Sequence, residues 1–123
     1  MYCEEVARII VDSSLKVHRA LGPGLLEKIY ESCLCYELQK EGCTVERQVA
    51  VPIRYGDLTF EEGFRLDLLV QDCIVCEIKA VEKHNTVWEA QLLSYMKLKG
   101  CRLGFLINFN VPVIKHGIKR MIL

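Results

Sequence analysis

The sequence predicts an α/β fold: helices first, then a three-strand antiparallel meander, then a crossover helix and a further strand, giving a mixed central sheet flanked by helices. Three observations carry this. Apolar residues recur at helical spacing through residues 4–40. Alternating or unbroken apolar runs then occupy 44–80. A second helical stretch, 86–99, separates those runs from another at 101–109. A strand-helix-strand order of this last kind gives a right-handed parallel crossover. At 123 residues the chain is read as one domain, 1–123, with a core large enough to fold without staples.

Each element has its own signals. From Glu4, Val6, Ile9, Ile10, Val17 and Leu21 form one helical stripe, and Gly22-Pro23-Gly24 ends it. His18 falls in the last turn, where it complements the helix dipole. The second helix is expected over Leu25–Lys40, burying Leu26, Ile29, Tyr30, Cys33, Leu34 and Leu38 and closed by Gly42. Val45, Arg47, Val49, Val51 and Ile53 alternate with their neighbours as a strand, which Pro52 confines to an edge or a bulge. Tyr55-Gly56-Asp57 is a turn, Phe60–Val70 a second strand and Cys73–Ala80 a third. Thr86-x-x-Glu89 has capping-box spacing, opening a helix that Gly100 closes, with Val87, Gln91, Tyr95 and Leu98 on one face. Cys101–Phe109 is a buried strand, and Ile118–Leu123 a short strand or a tail.

Composition narrows the function classes. Net charge is zero, which argues against strong non-specific binding to nucleic acid. The charge is unevenly placed: residues 1–78 hold 8 Lys+Arg against 14 Asp+Glu (−6), and 79–123 hold 8 against 2 (+6). Lys83, Lys97, Lys99, Arg102, Lys115, Lys119 and Arg120 form either a phosphate-facing patch or a solvated face meeting the acidic half of another copy, so a homodimer is expected. The seven cysteines lack chelating spacing and read as free thiols. No apolar run approaches a bilayer span, and Met1-Tyr2-Cys3-Glu4-Glu5 lacks a basic signal-peptide start. No membrane partner and a cytoplasmic location are the expectations.

The informative residues are charges inside apolar strands. Arg65-Leu66-Asp67-Leu68-Leu69-Val70 and Ile74-Val75-Cys76-Glu77-Ile78-Lys79 carry an Asp, a Glu and a Lys where hydrophobes would pack better. Glu77 and Lys79 are two apart and share a strand face. One reading is a structural ion-pair network, with Asp67 the partner of Arg65 or Lys79. The other is a hard-metal site, because two carboxylates on adjacent strands suit Mg²⁺, which keeps several waters. Lys79 would then orient or deprotonate water.

Strand parity makes the choice testable. Directly opposed residues of an antiparallel hairpin have position numbers of constant sum and point to one face. A two-residue turn Gln71-Asp72 would make Asp67 oppose Cys76, and Asp67 and Glu77 would face opposite ways. A three-residue loop Gln71-Asp72-Cys73, or a bulge, is needed to bring them together. Asp72 tolerates the left-handed backbone such a loop needs.

This order of elements, with Asp in the second strand and Glu-x-Lys in the third, resembles the PD-(D/E)XK nuclease superfamily. Leu21-Gly22-Pro23-Gly24-Leu25-Leu26-Glu27-Lys28-Ile29-Tyr30 is similar to the signature of its GxxExxY branch. Glu77-Ile78-Lys79-Ala80, Glu89-Ala90-Gln91-Leu92-Leu93-x-Tyr95 and Ile107-Asn108-Phe109 match later blocks of that branch, so the likeness covers nearly the whole chain. Leu66 stands where the family usually has the Pro before its Asp.

The resemblance implies a restriction-endonuclease-like core and a divalent-metal-dependent nuclease acting on DNA in preference to RNA. It implies that Asp67, Glu77 and the backbone carbonyl of Ile78 hold Mg²⁺ or Mn²⁺ and that Lys79 positions the attacking water. Glu27 would complete the acidic cluster, and Gln91 would contribute from the following helix. The alternative is a non-catalytic module of the same fold, serving nucleic-acid binding or protein assembly.

Overall fold

The computed structural model describes residues 1–123. Helices α1 (Cys3–Leu21) and α2 (Glu27–Lys40) precede strands β1 (Val45–Tyr55), β2 (Leu58–Val70) and β3 (Ile74–Lys79). Helix α3 (Val87–Lys99), β4 (Leu103–Asn108), a 3-10 turn at Ile114–Gly117 and β5 (Ile118–Ile122) follow. The five strands lie in chain order in one sheet, and only the β3–β4 pair is parallel. This is the α/β mixed sheet expected, and the C-terminal segment is a strand.

Period-two alternation sorts the core into two layers. Ile74, Cys76 and Ile78 of β3, with Phe105 and Ile107 of β4, pack under Val6, Ile10, Tyr30, Leu34 and Leu38 of α1 and α2. Val75 and Leu106 point the other way, under Leu92 and Met96 of α3. Both strands are therefore covered on both faces, which is why they read as unbroken apolar runs. No helix is long and apolar enough to cross a membrane.

Some local expectations are corrected. Helix α2 starts at Glu27, and Leu26 (73% exposed) and Ile29 (41% exposed) lie outside the core, while Cys35 is buried. The cause is a clamp: Tyr30, stacked on Phe109 at 4.7 Å, donates its hydroxyl to the Gly22 carbonyl (2.6 Å) and accepts from the Leu25 amide (3.0 Å). The 22–26 segment is thereby held as a loop. His18 does not cap α1; it is buried, and its Nε2 bonds the Val111 carbonyl at 2.7 Å, tying the helix to the segment after β4. No capping box opens α3, because Glu89 turns to His84 and Lys119. Asn85 instead accepts from the Val87 amide at 2.9 Å.

The β1–β2 hairpin outruns the rest of the sheet, since only Leu68–Val70 of β2 pair with β3. Its register shifts at Pro52, which alone faces Glu61, Glu62 and Gly63, so Pro52 sits both on an edge strand and at a bulge. Gly63 is required there, because a Cβ would collide with the Ile53 side chain.

At the β2–β3 hairpin, Val70 opposes Ile74, Leu69 opposes Val75 and Leu68 opposes Cys76. The loop is the three-residue one, Gln71-Asp72-Cys73, and Gln71 joins Asp72 in the left-handed region, both with φ of 52°. The register carries Asp67 opposite Glu77.

Candidate active site

Pairing of β2 with β3 stops at Leu68 and Cys76, one residue short of the two acids. Beyond it, side chains take over the bonding. Glu77 Oε1 accepts from the Asp67 amide at 3.3 Å, and Asp67 Oδ2 accepts from the Ile78 amide at 2.8 Å. Glu77 is buried at 8% exposure, and Asp67 is half-buried. The ion-pair reading of Asp67 is not what forms: Arg65 bonds Glu62 and the Gln48 carbonyl instead.

The electrostatics follow from that crowding. Burial first, and then the neighbouring charge of Asp67, push the Glu77 carboxyl up to about 9, with Lys79 giving partial relief. Glu27, the first residue of α2, stands exposed at the mouth of the site. Partial burial and the charge of Asp67 raise its pKa, and Lys79 again opposes the shift. Burial, Glu77 and Asp67 likewise raise the Tyr95 phenol, whose ring stacks on Phe64 at 4.1 Å.

Lys79, at the end of β3, forms no ion pair within 4.0 Å; its Nζ lies 4.9 Å from the centre of the Trp88 ring in α3. The aromatic face steadies the ammonium without neutralising it. Gln91 is exposed, one turn before Tyr95, and its side chain makes no hydrogen bond. The structure thus brings Asp67, Glu77 and Ile78 into direct contact, sets Glu27 and Lys79 within electrostatic reach, and leaves Gln91 unengaged.

Two clefts border the site, one at Asp67 and one at Lys79. One is lined wholly by polar side chains: Glu27, Lys28, Glu31, Arg47, Gln48 and Asp67. The other lies beyond Lys79, against Trp88, His84, Lys119 and the carboxylates Glu82 and Glu89. Of the basic C-terminal residues, Lys119 and Arg120 are already paired with Glu89 and Glu4.

The donor set fits a hard, water-retaining cation. Two adjacent carboxylates are costly together unless a proton or a cation sits between them. No group of three or more His, Cys, Asp or Glu is placed to hold an ion, so Glu27 does not close with Asp67 and Glu77 into a three-acid cluster, and the two carboxylates stand as a pair. All seven cysteines are free thiols.

Sequence reasoning missed Gln48, Trp88 and the Arg47–Glu31 pair. Trp88 had a signal, as the lone Trp placed in the first turn of the helix after Glu-x-Lys. Gln48 had none, because what sets it apart from its strand neighbours is a backbone angle.

A family model described as the PD-(D/E)XK nuclease superfamily matches residues 4–121. No curated protein and no solved structure gives a significant match.

Proposed function

The chain belongs to the PD-(D/E)XK nuclease superfamily, and we propose that it is a divalent-metal-dependent nuclease hydrolysing phosphodiester bonds in DNA in preference to RNA. The observation that carries this is the side-by-side placement of Asp67 and Glu77 where β2 and β3 part. Asp67, Glu77 and the Ile78 carbonyl would hold Mg²⁺ or Mn²⁺, which keep several waters and need only one or two protein carboxylates.

A bound divalent cation would supply charge to the phosphodiester and make water at the site more acidic. The chain's own residues do the rest. Lys79, free of any counter-ion, holds the attacking water and places positive charge beside the phosphate. Glu27, with its raised pKa, is suited to exchange a proton with that water from the α2 side. The exposed Gln91 contacts the nucleic acid from α3. The −6/+6 division of charge supports a homodimer, in which two sites would address one duplex.

The test is a calorimetric Mn²⁺ titration together with a cleavage screen on single-stranded, double-stranded and branched DNA and on RNA. Binding that disappears in Asp67→Ala, with Mn²⁺-dependent cleavage by the wild type, is expected. Metal binding without cleavage of any substrate would favour the non-catalytic module. No metal binding at all would overturn the reading.

A further inference from the structure

Gln48 breaks the regularity of β1. It is a non-glycine residue with φ of 51° in the middle of a strand, a conformation L-residues avoid. It lies between the pairs Arg47↔Leu68 and Val49↔Leu66, and so opposite Asp67. At this one opposed pair both strands change sides. Val45 and Leu68 pack in the α1–α2 layer, whereas Val49, Val51, Phe64 and Leu66 pack in the α3 layer. Uninterrupted period-two alternation would keep Arg47 with Val49, and Leu68 with Leu66, on one face.

The switch has a chemical result. Arg47 bonds Glu31 Oε2 on α2 at 2.9 Å, and the next residue, Gln48, bonds Oε1 of the same carboxylate at 2.7 Å. Consecutive residues of a regular strand would point apart. Gln48 Nε2 also reaches Asp67 Oδ1 at 3.3 Å. Two carboxylates facing one amide fix its orientation, since only the NH₂ end can donate. Asp67 is then held at both oxygens, Oδ1 by Gln48 and Oδ2 by the Ile78 amide. Arg65 bonds the Gln48 carbonyl and supports the unusual backbone.

We propose that Gln48 is a positioning residue: its left-handed backbone sets its amide between the buried Glu31 and Asp67, and that amide orients the Asp67 carboxylate toward the metal position. The inference rests on the reading of Asp67 as a metal ligand. Outer-shell partners that orient a ligating carboxylate commonly affect metal affinity by about 10–100-fold.

Gln48→Gly isolates the amide, because glycine adopts the same backbone freely. Calorimetric titration with MnCl₂ is expected to show an affinity about tenfold or more below wild type, with a urea midpoint above that of Gln48→Ala. In the metal-free protein, hydrogen exchange of the Ile78 amide is expected to accelerate while that of Val75 stays unchanged. Gln48→Ala should show the same loss of Mn²⁺ affinity with a lower urea midpoint, since alanine keeps the backbone strain and loses the bonds. Unchanged Mn²⁺ affinity and unchanged Ile78 exchange in Gln48→Gly would overturn the inference and leave the nuclease reading standing. A wild-type chain that binds no Mn²⁺ would overturn the metal-site reading, and Ile78 exchange would still decide whether Gln48 orients Asp67.

Discussion

Asp67 and Glu77 each use a carboxylate to take a peptide N–H that ladder pairing leaves free: Glu77 takes the Asp67 amide, and Asp67 takes the Ile78 amide beside Glu77. The two acids therefore hold the parted ends of β2 and β3 in place as well as facing each other. Any change in their ionisation should be felt by the fold.

The first prediction concerns pH. Glu77 keeps its proton up to about 9 in the folded chain, against an ordinary value of 4.5. Between those values the unfolded chain has released the proton and the folded chain has not. The contribution is full below the ordinary value and is lost as pH rises through the folded one, so the metal-free protein should lose stability across that window. Urea unfolding over a pH series checks this, and Glu77→Gln should flatten the slope. A wild-type stability that climbs across the window would contradict the buried, protonated state.

Lys79→Met should reduce cleavage by at least about a hundredfold. Stability should change by less than about 1 kcal/mol, because the side chain gives up its contact with Trp88 and a partial offset to the Glu77 and Glu27 carboxyls that ranks below burial in both. Mn²⁺ affinity should hold, since Lys79 is not a ligand. Single-turnover cleavage, calorimetry and urea unfolding on one preparation separate these, and a parallel loss of stability and activity would return Lys79 to a structural role.

Tyr30→Phe deletes the hydroxyl that bonds Gly22 and Leu25. The expected cost is about 1–2 kcal/mol, with faster hydrogen exchange at Leu25. Because the clamp fixes where α2 begins, and so where Glu27 stands, cleavage should fall further than stability alone explains.

Gly63→Ala should cost about 1–3 kcal/mol from overpacking against Ile53. The cost should shrink on an Ile53→Ala background, because the two positions share one space. Equal costs on both backgrounds would mean that the bulge relaxes in another way.

Much of this was legible in the chain. The meander and the parallel crossover follow from apolar periodicity, whereas parity gave only the condition for Asp67 to meet Glu77, a three-residue loop or a bulge, and the structure supplies the loop. The boundaries of α2 were less so, because a tyrosine hydroxyl eight residues away holds Gly22–Leu26 out of the helix. The Thr86 capping box failed for a similar reason: Glu89 found stronger partners in His84 and Lys119. The strand alternation read through Val45–Ile53 breaks at Gln48, where a polar residue of no special type adopts a backbone angle that neither composition nor spacing reveals.

The strand order gives the chain a folding itinerary. Every neighbouring pair in the sheet is also consecutive in sequence, so each strand can dock on the one made just before it, and the only crossover carries its own helix. Such mostly short-range pairing favours rapid assembly. The exceptions are the two N-terminal helices, which must wait for material from the far end: Tyr30 of α2 stacks on Phe109, His18 of α1 meets the Val111 carbonyl, and Glu4 meets Arg120 across 116 positions. Closure of the helical layer against the last two strands is accordingly expected to be a late event.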